Sequence, residues 1–255
     1  MRTVGDTFAL VQRNLRRIPR SPDLLLGFTI QPIMFVLLFV YVFGGAIQTP
    51  GFGSYKDFLI PGICVQMLAF GALLTGIGLA DDLHKGLIDR FRSLPIARSA
   101  VLAGRTLSDV VTNVFQLCVL LIVGYIIGFR FGGSLPAVLA GTALALLFAF
   151  AISWISALTG LLVRSVEAAQ QSGFIWVFPL TFVSSAFVPV DSMPDGLRQF
   201  AEVNPFTLTV NAVRALYLGQ PAGNDAWWSL LWSVGLIAVF APLAVARYRR
   251  VAAGG

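Results

Sequence analysis

Six stretches of this chain run for about the length of a membrane-spanning helix without carrying a charge, or nearly so. A helix needs about 20 consecutive, mostly apolar residues to cross the hydrocarbon of a bilayer. The candidate spans are 24–47, 58–80, 106–129, 135–163, 168–190 and 226–246. The third is charge-free from Val110 onward, with Asp109 just before it. The fifth is diluted by Gln170, Gln171, Ser184 and Ser185. Composition agrees: 57% of residues are hydrophobic, 12% are charged, and the mean hydropathy is +0.82. A soluble domain carries roughly 25% charge, and this chain has too little to cover itself against water. The expected fold is therefore all-α and integral to a membrane, one transmembrane domain over residues 1–255 with six transmembrane helices.

The net charge of +6 raises the question of nucleic acid, and the placement of the charges answers it. With an even number of spans both termini share a side. Fourteen of the eighteen Lys and Arg residues fall on that side, and Lys56, Arg130, Arg198 and Arg214 fall on the other. Positive charge accumulates on cytoplasmic loops, so both termini are expected in the cytoplasm. Topology accounts for the basic balance, and no basic stripe with interleaved aromatics is left for nucleic acid. Trp227, Trp228 and Trp232 then fall at the outer end of the last span, where an aromatic belt belongs. The first 23 residues hold five arginines and no continuous apolar stretch, which does not read as a cleavable signal. Cys64 and Cys118 lie in apolar runs away from any Cys/His cluster and read as small apolar fillers.

The segments between spans carry more pattern. Val4, Phe8, Val11, Leu15 and Ile18 form one face of a helix, with Arg13, Arg16, Arg17 and Arg20 around the rest. Such a helix over 1–22 suits the membrane interface, either as a plain positive anchor or as a lever that docks a partner. Residues 81–98 read as a short cytoplasmic helix that starts at Asp81 and Asp82. Leu83, Leu87, Phe91 and Leu94 make its apolar stripe, and Pro95 ends it. The stripe must lie on the membrane or fill a groove in a soluble partner. His84 is the sole histidine and reads as an ordinary loop residue. Between 191 and 225 two short helices, over 195–203 and 206–218, are separated by Asn204-Pro205 and closed by Gly219. The second is too short to cross, so it either dips into the outer leaflet as a broken re-entrant pair or caps the bundle. Small residues recur every fourth position at Gly141, Ala145, Ala149, Ser153 and Ala157, and at Ala72, Gly76 and Ala80. Such stripes let helices approach closely.

The chain contains no phosphate loop of the G-x-x-x-x-G-K-[ST] type, no H-E-x-x-H and no G-x-S-x-G. The span centres lack the ionisable groups that ion-coupled transporters usually carry; Asp109 and Glu167 sit near the cytoplasmic ends. Neither a fuel site nor a catalytic centre is legible, so a transporter of this design draws its energy from another protein. A secondary transporter or channel, and a membrane-embedded enzyme or assembly factor, remain as competing classes.

Several motifs then come together in order. Gly86-Leu-Ile-Asp-Arg-Phe-Arg-Ser-Leu-Pro95, running into Ala103-Gly-Arg105, resembles the first cytoplasmic loop of ABC type-2 permeases. Ser185-Ala-Phe-Val-Pro-Val-Asp-Ser-Met-Pro194, Val203-Asn-Pro-Phe-Thr207 and Ala212-Val-Arg-Ala-Leu216 resemble that family's outer signature before the last span. The nearest subgroup is the daunorubicin-resistance-type drug-efflux permeases. The loop departs from the family's glutamate-rich start, offering Asp81, Asp82 and Lys85 instead. The resemblance implies a permease that binds no cofactor itself. It would pair with a second copy or a homologous permease, and with two separate ATPase subunits that carry ATP and Mg. Coupling to the ATPase would fall to Asp82, Lys85, Leu87, Arg90, Phe91, Arg92 and Leu94, helped by the interfacial helix through Phe8, Arg13, Arg16 and Arg17. A hydrophobic or amphiphilic solute (a drug, lipid or glycolipid) would pass outward through a bacterial plasma membrane along Phe35, Phe39, Gln66, Phe70 and Trp176.

Overall fold

The computed structural model of the chain describes residues 22–47, 49, 51–85 and 98–253. Among them the regular structure is entirely helical: α1 (Pro22–Leu38), α2 (Tyr55–His84), α3 (Arg98–Ile126), α4 (Leu135–Leu162), α5 (Val166–Phe182), α6 (Asp195–Val203), α7 (Pro205–Leu218) and α8 (Asp225–Ala253). Four of these, α2, α3, α4 and α8, are long and apolar enough to cross a membrane. Against the six expected spans, α1 and α5 are shorter, at 17 residues each. A π-helical turn, Phe39–Phe43, prolongs α1. The interfacial helix expected over 1–22 lies outside the described residues, apart from Pro22.

α2 is the central helix. Its apolar stretch is 72% buried, against 17% for α8. It packs against α3, α4, α5 and α7, so it has no single hydrophobic face. The tightest seam joins α2 to α4, where the recurrent small residues meet. Ser156 Oγ donates to the Leu73 carbonyl at 2.9 Å. A Cβ placed on Gly160 would lie 2.1 Å from the Gly76 carbonyl oxygen, so backbone touches backbone there. Gly141, Ala145, Ala149, Ser153 and Ala157 are all buried, and Gly141 abuts Leu216 and Tyr217 on α7. The same stripe thus serves two neighbours as α4 crosses them.

Two boundaries differ from expectation. The cytoplasmic helix does not begin at Asp81; Asp81 and Asp82 close α2, which runs on through His84. No breaker separates them from the span, and Lys85 Nζ bonds Asp81 Oδ2 at 2.7 Å across the last turn. That ion pair offsets the poor placement of carboxylates at a helix C-terminus. His84 is accordingly helical, with its ring against the Arg164 carbonyl. The span expected over 168–190 stops being helical at Phe182. Thr181 and Ser184 turn their hydroxyls onto backbone carbonyls, which competes with the helix. Residues 183–189 then fold inward, burying Ala186 and Phe187. Of the two cysteines, Cys64 is buried as expected, whereas Cys118 lies exposed on the outer side of α3.

The segment between α5 and α8 is organised by Asn204. Its Oδ1 accepts from the Phe206 N–H at 2.9 Å and caps α7. Its Nδ2 donates to the carbonyls of Leu180 and Val183 at 2.8 and 2.7 Å, satisfying the end of α5. One amide therefore ties two helix ends together. α7 is buried among α2, α4 and α8, and Gly219 stops it in the left-handed region at φ 71°. Replacing Asn204 with Ala is expected to cost about 2–3 kcal/mol, the loss of a cap plus two bonds at a helix end. Asn204→Asp, which keeps the cap but not the donors, should lie between. Thermal transitions of the purified variants in mild detergent would rank them.

Candidate functional site

Two of the aromatic side chains expected on a solute path, Phe35 and Phe39, cluster with others near the C-terminal end of α1. Phe35 and Phe39 pack against each other as tilted rings with centroids 4.7 Å apart. Phe39 stacks on Phe187 at 4.6 Å, and Phe182 on Phe187 at 5.2 Å. The inward fold of residues 183–189 makes this possible by laying Phe187 between α1 and α5. The π-helical turn carries the ladder one step further, to Phe43, 5.1 Å from Phe39. Such turns are common where a helix serves a site. Deeper along α2, Phe70 meets Phe174 of α5 at 5.7 Å.

Gln66 and Trp176 lie on the facing sides of α2 and α5. On α2, Gly62 abuts Ala186 and Phe70 meets Phe174, which places Gln66 between them on the same stripe. On α5, Gly173 faces Leu73, and Trp176 is one turn along. Gln66 is 1% exposed, and neither its amide oxygen nor its amide nitrogen has a hydrogen-bond partner. The Trp176 indole N–H is likewise buried without one. Buried polar groups in proteins are nearly always satisfied, so two unpartnered groups on facing helices stand out within this apolar bundle.

The remaining expected site residues divide in two. Asp82 and Lys85 close α2 at the end of the described segment. Leu87, Arg90, Phe91, Arg92 and Leu94 lie outside the described residues, as do Phe8, Arg13, Arg16 and Arg17. Among the described residues no group of His, Cys, Asp and Glu could hold a metal ion.

Sequence reasoning passed over two clusters. The first is Arg214, counted as an outer-loop charge but 3% exposed inside the bundle. Its Nε donates to the Phe58 carbonyl at 2.8 Å, one terminal nitrogen to the Ser185 carbonyl at 2.7 Å, and the other to Asn211 Oδ1 at 3.0 Å. Its guanidinium also lies 3.7 Å from the Phe58 ring centre. One side chain thus pins α7 to the start of α2 and to the 183–189 turn. The second is a polar line on α3, formed by Thr106, Asp109, Asn113 and Gln116. Their spacing of three, four and three puts them on one helical face. Thr106, Asn113 and Gln116 are buried, and the Thr75 hydroxyl donates to Asp109. That spacing was readable in the sequence; the burial of the line was not.

The ABC-2 type transporter profile matches residues 6–218, most of the chain. The chain belongs to the ABC-2 type transporter family. It is 34% identical over 246 residues to the daunorubicin resistance ABC transporter permease protein DrrB1 of Streptomyces coeruleorubidus, covering 96% of this chain and 87% of the relative. It is 26% identical over 255 residues to the probable doxorubicin resistance ABC transporter permease protein DrrC of Mycobacterium tuberculosis, covering 97% and 89%. With the probable multidrug ABC transporter permease YbhR of Escherichia coli it shares 27% identity over 205 residues. The ABC-2 permease is thus a multi-pass membrane protein and a transport component of an ABC exporter, not a catalyst by itself. The family match takes in α1 to α7 and the aromatic ladder, and ends before α8.

Proposed function

We propose that this ABC-2 permease moves an amphiphilic, drug-like solute outward across a bacterial plasma membrane, using ATP hydrolysed by a separate subunit. The buried, unpartnered Gln66 amide, one turn along α2 from Phe70 and its ring partner Phe174, carries this reading. Aromatic faces hold a flat apolar body, and an orphan amide rewards a polar group on it. The drug-resistance names of the relatives support the same solute class. In this reading the six spans are α1 with its π-helical turn, α2, α3, α4, α5 and α8, with both termini in the cytoplasm. Two permease copies, or this chain and a homologue, assemble with two ATPase subunits that bind ATP and Mg. The loop 81–98 seats in the ATPase through Asp82, Lys85, Leu87, Arg90, Phe91, Arg92 and Leu94. The interfacial helix, with Phe8, Arg13, Arg16 and Arg17, transmits the same movement. The permeases then rock between inward and outward access, and the solute follows Phe35, Phe39, Gln66, Phe70 and Trp176.

A tagged chain drawn gently from membranes should bring a stoichiometric ATPase with it. Reversing the charges of Arg90 and Arg92 should cut that co-purification and abolish ATP-dependent transport. Transport that survives ATP depletion but stops when the ion gradient collapses would replace this reading with a secondary transporter.

A further inference from the structure

The polar line on α3 meets α2 at a point where α2 has no side chain. A Cβ built on Gly71 would lie 2.6 Å from Asn113 Oδ1 and 3.0 Å from Gln116 Oε1. Two amide oxygens therefore pass directly over the Gly71 backbone. Gln116 is 5% exposed, and its Oε1 has no hydrogen-bond partner. Gly71 is near the middle of the 30-residue α2, so the oxygens sit at about half the depth of the bundle. The Thr75 hydroxyl one turn away is engaged with Asp109 and does not satisfy Gln116 Oε1. This edge of α2 is open between α3 and α5: Phe70 and Gly71 are half-buried, and Leu74 is exposed. Phe70 and its partner Phe174 form an apolar wall on the far side of the opening.

An acceptor held in apolar surroundings without a donor is costly, and more so where no water competes. From the convergence of the Asn113 and Gln116 amide oxygens over Gly71 we infer a second solute-binding point, one that takes a hydrogen-bond donor, an amine or hydroxyl, on an otherwise apolar solute. The inference rests on the path reading above but adds a requirement to it. Aromatic stacking selects the body of the solute, whereas the amide pair selects a donor-bearing end. Gly71 is part of the site because its missing side chain lets the two amide oxygens converge against the backbone of α2.

Gly71 also supplies a mild probe. The atoms an alanine would strike there are the ends of two flexible side chains rather than backbone, so Gly71→Ala can fold while its methyl group drives the two amide oxygens apart. The test uses the permease co-purified with its ATPase in detergent. Two fluorescent amphiphiles are titrated: an alkylnaphthalene that ends in a primary amine, and the same molecule ending in a methyl group. The wild type should bind the amine about tenfold more tightly, the worth of one buried hydrogen bond. Gly71→Ala and Gln116→Leu should each bring that ratio close to one while the thermal transition stays near wild type. Phe39→Ala should weaken both probes by a similar factor and leave the ratio alone. No preference for the amine in the wild type, or a ratio unchanged in both variants, overturns the donor site. So does a change in oligomeric state in Gly71→Ala and Gln116→Leu, which would assign the opening to a second copy of the chain. Phe39→Ala with unchanged affinity for both probes would instead overturn the aromatic path, whatever the ratio shows.

Discussion

Alanine at Gly160 is expected to force α2 and α4 apart and to cost about 3 kcal/mol, the upper range for overpacking a close contact. The added methyl would lie 2.1 Å from the Gly76 carbonyl oxygen and 2.7 Å from the Gly76 carbonyl carbon. No rotamer relieves a clash with backbone, so the helices themselves must move. Gly76→Ala should act alike, because its methyl would lie 2.2 Å from the Ser156 carbonyl oxygen. The bond from Ser156 Oγ to the Leu73 carbonyl would be lost as the seam opens. Gly235→Ala is the control. That glycine lies inside α8 with no atom within 4 Å of the new methyl, so the change should be neutral or stabilising. Thermal transitions in mild detergent separate the cases. A Gly160→Ala protein as stable as wild type would mean that α2 and α4 do not touch at this seam.

Removal of Arg214 should loosen the whole segment between α5 and α8. Arg214→Met keeps the length and apolar stem of the side chain. It leaves the Phe58 and Ser185 carbonyls and Asn211 Oδ1 without the guanidinium. Hydrogen bonds to a charged group contribute about 1.5–3 kcal/mol each. Because the charge also loses hydration on burial, a net loss of about 3 kcal/mol is expected rather than the full sum. Arg214→Lys should recover little of it, since a single ammonium cannot span three acceptors on separate segments. The local effect can be read at Ala186, which is 2% exposed in the turn that Arg214 holds. A cysteine placed there, in a background lacking Cys64 and Cys118, should resist a membrane-impermeant maleimide. It should become reactive once Arg214→Met is added. Equal protection in both proteins would show that the turn holds itself.

Arg214 also shows where sequence reading stops. In the sequence it is one arginine on a short apolar stretch, and Lys/Arg counting places it on the outer side. That counting treats a charge as solvated unless a partner is visible nearby in the chain. Its partners come from residues 58 and 185, and no local pattern connects them to 214. Gln66 is similar: the sequence marks an amide in an apolar run, but only the packing of α5 against α2 leaves that amide buried without a partner. Phe187 was visible within an outer motif, yet nothing in that motif says that the chain turns inward at Phe182 and lays its ring against Phe39.

By itself, the sequence determined the solvent, the helical class, the small-residue stripes and the break at Asn204. Each depends on interactions within about one helical turn, or on a sum of transfer energies along a run, and both are local quantities. It also sufficed for the family, because several motifs occur in a set order. The tertiary structure alone decided where α5 ends, which face of α3 is hidden, and which polar groups are left without partners. Those outcomes depend on how each helix is rotated and how deep it sits against its neighbours. Rotation and depth are set by contacts between residues far apart in the chain, such as Gly76 with Gly160 and Phe58 with Arg214. A pattern read along one segment does not contain them.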